Sequence, residues 1–241
     1  EIYKKRKFLK KEFYKLFFLG LMGSGVCGAF PFIAGMSTTM ANMGIIYTSS
    51  PVFIVIMSVF LFSEKISLNR IVGLIICLIG VITIITKGNF NYLINFSFTT
   101  GDFWMLGAAI GWALYSIYLL NWKSKFSLMG RFTLIAFFGF ISLFPFYILE
   151  ESLFFDTKFN STFLAWVLFA AISPGIIAFS LYTKVQRYLG ASLTGFTLYL
   201  FAVYGAIFGI ILFEEMLLPF HYYGGALVFA GVYIARKIKT I

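Results

Sequence analysis

The side chains of this sequence that could take part in chemistry are aromatic and hydroxyl-bearing residues inside long apolar stretches. Trp112 and Tyr115 lie three residues apart in one such stretch, so they share one face of a helix. A buried tryptophan or tyrosine needs a polar partner or a wet cavity for its N–H or O–H group. We therefore predict that this pair lines a cavity, the alternative being plain packing. Tyr199 and Tyr204 are further candidates of the same kind.

Ser50 and Pro51 form another candidate, because a proline within a helix removes a backbone hydrogen bond and bends the chain. Thr48, Ser49 and Ser50 offer hydroxyls that can satisfy the freed carbonyl groups. One interpretation is a flexible, polar-lined segment that faces a cavity. The alternative is a static kink that is repaired by its own hydroxyls.

The sequence contains no recognisable motif for catalysis or metal binding. The sequence has no grouping of nucleophile, base and orienting acid, no phosphate-binding loop and no metal motif. Cys27 and Cys77 both lie in apolar runs, and the single histidine, His221, has no partners for a metal site. We predict that the protein is not an enzyme and has no catalytic residues, cofactor or metal.

The elements that must position the candidates are indicated by composition. The chain is 61% hydrophobic and 12% charged, with a mean hydropathy of +0.94, which excludes a water-soluble domain. Backbone groups find no water partners in hydrocarbon, so apolar runs of about 20 residues predict spanning helices. We predict an all-α, polytopic transmembrane helix bundle. Its eight runs are residues 13–35, 41–62, 68–87, 101–121, 131–149, 162–183, 189–213 and 217–235.

The basic residues indicate an orientation. A net charge of +10 would suggest nucleic acid in a soluble protein, but these residues lie almost entirely between apolar runs. With the runs alternating in direction, 17 of the 19 Lys and Arg residues fall on the side of the N-terminus, and only Lys87 and Lys158 fall on the other. The side richer in Lys and Arg is usually cytoplasmic. We predict an integral protein of the bacterial inner membrane with both termini in the cytoplasm.

An internal repeat runs through the spans. Residues 58–81 align without a gap on residues 209–232, at an offset of 151, with six identities that include two glycines and a glutamate. The loop with Glu64 falls on the cytoplasmic side, and its counterpart with Glu215 falls on the other. The two copies are therefore predicted to be inverted, which is the plan of many secondary transporters.

The number of helices differs between the two copies. Five helices run from residue 101 to residue 235, but only three precede them, and the counterpart of residue 101 would lie before the chain begins. We expect eight helices of an original ten, with two missing from the N-terminus. A natural eight-helix protein is the alternative.

The sequence resembles the drug/metabolite transporter superfamily, specifically its ten-helix EamA type. The residues that carry the resemblance are small or apolar residues at set places: Ala41 to Val81 with Pro51, Glu64, Gly73 and Gly80; Gly190-Ala191-Ser192 through Glu215, Gly224 and Gly231; and Gly101-Asp102 followed by Trp112-Ala113-Leu114-Tyr115. The second copy departs from the first by having Ala202 where Pro51 stands. By this resemblance, residues 1–90 would hold the last three helices of the first repeat, and residues 101–238 the complete second repeat.

The resemblance implies a secondary transporter of small organic solutes, such as metabolites, amino acids or drug-like compounds, exported by alternating access. Its expected partners are a small-molecule substrate and the lipid bilayer, without nucleic acid, and a homodimer is left open. Lys184 and Arg187 could meet an anionic substrate as it enters, although both could simply set topology. One alternative is a membrane scaffold that keeps the fold without transport. Another is a lipid-modifying enzyme, which would require an acidic or histidine cluster that the sequence lacks.

Overall fold

A computed structural model describes residues 3, 5–89, 91–94, 97–153, 160–213, 216 and 218–236. Within these ranges every secondary-structure element is helical, so the predicted all-α fold with eight helical segments is confirmed. The segments are α1 (Arg6–Gly35), α2 (Met40–Tyr47 continued by Ser50–Phe62), α3 (Leu68–Ile85), α4 (Thr100–Asn121), α5 (Leu128–Leu153), α6 (161–189), α7 (191–213) and α8 (Pro219–Arg236). The predicted loop between α3 and α4 contains one short helix, Asn91–Ile94.

The outer surface of the bundle is apolar, as a bilayer requires. Ile75, Trp166 and Phe229 are 52%, 67% and 57% exposed. Six stretches of the described chain are long and apolar enough to cross a membrane. The protein is therefore an integral membrane protein, in which lipid solvates side chains that water would not.

Helix α1 begins at Arg6, earlier than the predicted residue 13, and its extra turns are held in place by polar contacts. Lysine, arginine and glutamate are good helix formers, so the basic stretch continues the helix rather than ending it. Glu12 accepts hydrogen bonds from the Ser124 hydroxyl at 2.6 Å and from the Lys125 N–H at 3.0 Å. The first turns of α1 are thus fastened to the connection between α4 and α5.

The opposite end of α4 is fastened to α1 and α2 through Asp102. This residue is completely buried, and its carboxylate accepts hydrogen bonds from the Thr38 hydroxyl at 2.5 Å and from the Thr99 N–H at 2.7 Å. The Thr99 hydroxyl donates to it at 3.1 Å. Asp102 therefore both caps α4 and ties it to the turn between α1 and α2.

A single glycine separates α6 from α7. Gly190 has φ +82° and ψ 170°, a combination that is essentially restricted to glycine. The prediction ended the sixth helix at residue 183 and began the seventh at residue 189. The structure instead continues α6 through Lys184 and Arg187 and starts α7 directly after Gly190.

Helices α3 and α8 pack against each other in opposite directions through four glycines. A Cβ atom on Gly73 would lie 2.5 Å from the Gly231 carbonyl oxygen, and one on Gly80 would lie 2.7 Å from the Gly224 carbonyl oxygen. At the 151-residue offset, Gly73 corresponds to Gly224 and Gly80 to Gly231. The contact of Gly73 with Gly231 is thus repeated, with the two copies exchanged, as the contact of Gly224 with Gly80. An approximate two-fold axis between inverted copies requires this exchange.

The relation between the copies extends to α1 and α6. A π-helical stretch interrupts α1 at Leu21–Val26, and another interrupts α6 at Ala171–Ala178. Adding 151 to the first range gives residues 172–177, which lie inside the second. The same local departure from α-helical geometry therefore occurs at the same place in both copies. Glu215 and Lys158, which entered the predictions of repeat and orientation, lie outside the described residues.

Candidate functional site

Trp112 and Tyr115 lie together in the middle of the bundle, as their spacing on α4 predicts. Trp112 is 9% exposed and Tyr115 is 1% exposed, and their ring centroids are 5.5 Å apart. The Tyr115 ring lies against Gly23, in the π-helical stretch of α1, where a Cβ atom would come within 2.7 Å of the ring. The π-helical stretch of α1 therefore provides the close backbone approach that this ring needs.

Helix α6 adds two rings that the sequence analysis missed. The Trp112 ring centroid lies 5.2 Å from that of Tyr182 and 5.7 Å from that of Phe179. The ring centroids of Phe179 and Tyr115 are 5.9 Å apart. Tyr182 and Phe179 are three residues apart, the same spacing as Trp112 and Tyr115, and this signal could have indicated them. We call these four residues the ring cluster.

Hydroxyl and amide groups join the ring cluster to its surroundings. The Ser116 and Tyr182 hydroxyls are 2.8 Å apart and share a hydrogen bond. The Gln186 Nε2 group donates to the Ser116 carbonyl oxygen at 2.7 Å. Trp112 Nε1 is near the Tyr182 side chain, but no described acceptor satisfies its N–H with hydrogen-bond geometry. A buried donor without a well-formed hydrogen bond costs about 1–3 kcal/mol, and the near acceptor of this N–H is the Tyr182 hydroxyl.

The hydroxyls before Pro51 are occupied by the backbone. Thr48, Ser49 and Ser50 each donate to the carbonyl oxygen three residues earlier, all at 2.6 Å. Ser50 is fully buried and bonds Tyr47 in this way. Pro51 is the second residue of the second part of α2 and lies 3.6 Å from a Cβ position on Gly195. These contacts correspond to the self-repaired kink, and the role of Ser50 and Pro51 at a cavity stays a prediction.

Tyr199 and Tyr204 are not brought to the ring cluster. Tyr199 is fully buried, but it packs with Val55, Cys77 and Val228, which belong to the separate core around α3 and α8. Tyr204 is 54% exposed on α7. Both remain candidates from sequence alone, and the structure separates them from Trp112 and Tyr115.

Tyr199→Phe is expected to raise the free energy of unfolding by about 1 kcal/mol, because the buried Tyr199 hydroxyl has no hydrogen-bond partner in the described part of the chain. The matched variant is Tyr182→Phe, which should lower it by a similar amount because the Tyr182 hydroxyl is bonded to Ser116. Thermal unfolding midpoints in detergent would measure both. Equal effects of the two variants would contradict this assignment.

Arg131 is a buried cation whose burial the sequence analysis did not predict. It lies inside α5 and is only 6% exposed. Its Nη1 group donates to the Leu119 carbonyl oxygen at 2.8 Å. Its position, within an apolar stretch that begins at Leu128, is the signal that could have indicated burial.

A polar cleft opens at the other end of α4. Its volume is about 430 Å³, and it is lined by Gly35, Met36, Ser37, Thr38, Thr39, Asn42, Ser97 and Thr99. Thr38 and Thr99 also bind Asp102, so the cleft lies beside the buried tie between α1, α2 and α4.

Potential metal ligands are not clustered in the described residues. Cys27 and Cys77 are unpaired thiols that donate to the carbonyl oxygens of Ala108 and Val228, both at 3.4 Å. These two contacts join α1 to α4 and α3 to α8. Both cysteines are thus used in helix packing.

Comparison with known proteins gives consistent results. The EamA-like transporter family matches residues 2–86 and 99–236. An uncharacterized transporter of Methanothermobacter thermautotrophicus is 26% identical over 230 residues, which are 94% of this chain and 65% of that protein. The uncharacterized transporter YetK of Bacillus subtilis is 25% identical over 82% of this chain and 60% of its own length. This chain thus spans somewhat less than two thirds of these relatives.

A solved crystal structure has a similar fold. It superposes with a TM-score of 0.72 at 19% sequence identity, covering 91% of this chain and 75% of that chain. At this identity the likeness concerns the helical architecture and not the ligand.

Proposed function

Because the chain belongs to the EamA-like transporter family, we propose that it moves small organic solutes across the membrane and that the ring cluster is where they bind. The observation that carries this proposal is the buried Trp112 N–H group, which has ring faces around it and no hydrogen bond of good geometry to its near acceptor, the Tyr182 hydroxyl. An apolar, planar solute with one acceptor atom would stack on these rings and accept this hydrogen bond.

Alternating access is the mechanism that this architecture favours. The ring cluster is built from α4 and α6 of the second copy and rests on α1 of the first, so it lies where the copies meet. In this proposal the copies are residues 1–90 and 101–238. Inverted copies can exchange conformations and so expose one site to each face in turn.

The proposed orientation rests on charge, and the proposed substrate class rests on the chemistry of the ring cluster. We place the N-terminal face, where α1 begins and α8 ends, in the cytoplasm of a bacterial cell because 17 of the 19 Lys and Arg residues fall on it. Metabolites, amino acids and drug-like compounds with an apolar ring match the ring cluster. Export from the cytoplasm is the proposed direction.

Counterflow in proteoliposomes tests the proposal. Vesicles with the full-length protein, loaded with an unlabelled amino acid or aromatic metabolite, should take up the labelled compound with saturable kinetics, whereas protein-free vesicles should not. Fluorescence-detected size exclusion would establish that the reconstituted protein is folded. If a folded protein exchanges no member of a broad panel, the transport proposal fails and a membrane scaffold becomes the better interpretation.

A further inference from the structure

Arg131 lies close to the ring cluster, toward the N-terminal face of the bundle. Its Nη1 group donates to the carbonyl oxygen of Leu119 at 2.8 Å. Leu119 is one helical turn beyond Tyr115, which itself is three residues beyond Trp112, so all three positions lie on neighbouring turns of one side of α4. Gln186 bonds Ser116 between them. Arg131 and Tyr115 also lie within electrostatic range of each other, so the guanidinium group is near the rings.

The edge of this guanidinium that suits a carboxylate is unoccupied. An arginine has five N–H donors, and the Nε and Nη2 groups form one of the edges that accept a carboxylate with two parallel hydrogen bonds. In the part of the chain that the structure describes, Nε is buried without any partner and Nη1 makes the one hydrogen bond of the side chain. A buried arginine with this edge free is rare, because each unmade hydrogen bond is costly.

The charge of Arg131 is also unpaired. Among the described residues, no carboxylate lies within salt-bridge distance of it, whereas Arg70 at another part of the same face pairs with Glu64 at 3.1 Å. Glu12 is within electrostatic range of Arg131, but its oxygens are bonded to Ser124 and Lys125. Arg187, near the end of α6, adds a second positive charge within range. A buried positive charge of this kind favours the binding of an anion.

A purely structural role explains only part of this arrangement. Arginine near the end of a helix can cap its last carbonyl groups, and the bond to Leu119 does so for α4. One exposed lysine donor would serve that purpose as well. Capping requires neither a buried Nε group without a partner nor a second arginine within electrostatic range.

We propose that Arg131 binds the anionic group of the solute through its Nε and Nη2 edge while the ring cluster holds the apolar body. The substrates are then organic anions that carry a carboxylate about one helical turn from an aromatic or apolar group. This inference rests on the proposed transport function and narrows its substrate class. Arg187, which is exposed at the same rim, would attract the anion before it reaches Arg131.

The test compares matched acids and amides in counterflow with the full-length protein. The probes are labelled phenylacetate and phenylacetamide, together with phenylalanine and phenylalanine amide. The variants are Arg131→Lys, which keeps the charge but not the planar fork, and Arg131→Met, which keeps neither. The matched control is Lys65→Gln, which removes one exposed cation from the same face of the bundle, between α2 and α3.

The wild type should exchange the acids at least about 10-fold faster than the amides. Arg131→Lys should slow exchange of the acids about 10-fold and Arg131→Met about 100-fold, which is the range for losing charge-assisted hydrogen bonds. Exchange of the amides by these variants, and of the acids by Lys65→Gln, should change less than about 2-fold. If Arg131→Met does not fold by size exclusion, the acid-to-amide ratio of Arg131→Lys decides.

Two other outcomes would overturn the inference in distinguishable ways. Equal exchange of acids and amides by the wild type, with variants that alter both alike, would reject the anion site and leave transport standing. A folded wild type that exchanges none of the four probes or the wider panel would reject the transport function and this inference with it.

Discussion

Gly224→Ala is expected to lower the free energy of unfolding by about 2–3 kcal/mol, the cost of overpacking a tight core. A Cβ atom at Gly224 would lie 2.5 Å from Ile84 Cγ1 and 2.7 Å from the Gly80 carbonyl oxygen. The second of these atoms is backbone, so relief requires α3 and α8 to separate. Gly225, the next residue, has nothing within 4 Å of its Cβ position. Gly225→Ala should therefore leave stability unchanged or slightly raised, since alanine favours the helix.

Thermal unfolding of the two variants in detergent measures this difference. For a protein of this length the unfolding midpoint of Gly224→Ala should fall by roughly 4–12 °C relative to Gly225→Ala. Gly73→Ala should behave like Gly224→Ala, because the two glycines are counterparts and a Cβ at Gly73 would meet the Gly231 carbonyl oxygen at 2.5 Å. Equal unfolding midpoints for Gly224→Ala and Gly225→Ala would contradict this prediction. They would show that α3 and α8 can move apart at this contact at little cost in stability.

Trp112→Ala is expected to reduce the initial rate of counterflow about 100-fold, equivalent to about 2.7 kcal/mol of lost binding and positioning. The substitution removes the central ring of the ring cluster, which Tyr115, Phe179 and Tyr182 contact, and it removes the unpaired N–H donor. Trp112→Phe keeps an aromatic ring but not the donor. It should lose about 10-fold, the value of one hydrogen bond to a ligand.

The matched control is Trp166→Ala on α6, where the indole is 67% exposed toward lipid. Its transport should change less than about 2-fold, because the ring touches neither the ring cluster nor a path to it. Truncating a buried tryptophan can also destabilise the protein, so the membrane-inserted amount of each variant must be measured. If Trp112→Phe and Trp112→Ala both transport at the wild-type rate, Trp112 does not belong to the site.

The helices could be predicted from sequence because hydrocarbon leaves the backbone few options. A run such as 101–121 must satisfy its own N–H and C=O groups, and the helix is the local way to do so. The repeat was also readable, since Gly73, Gly80 and their counterparts recur at one offset. The start of α1 was misjudged because Arg6 to Lys11 are polar, although they form helix readily and Glu12 ties them to the next connection.

Only part of the candidate site could be predicted from the sequence, because its residues come from different helices. Spacing reveals which side chains share a face of one helix, and this was enough to pair Trp112 with Tyr115. It does not reveal which neighbouring helix that face meets. Tyr199 has the right depth but points toward α3, whereas Tyr182 on α6 was overlooked. The burial of Arg131 was not predicted, although its position inside an apolar stretch could have indicated it.

The junction at Gly190 sets a mechanical limit on the second copy. Successive Cα atoms are 3.8 Å apart, so the adjoining ends of α6 and α7 can never separate by more than about 7.6 Å. The chain therefore holds these two helix ends together at the N-terminal face. The far ends of the two helices are not limited in this way. In the first copy, the corresponding junction is the turn between α1 and α2, at the opposite face. There the Thr38 hydroxyl donates a hydrogen bond to the Asp102 carboxylate. The two chain junctions therefore limit helix separation at opposite faces of the bundle.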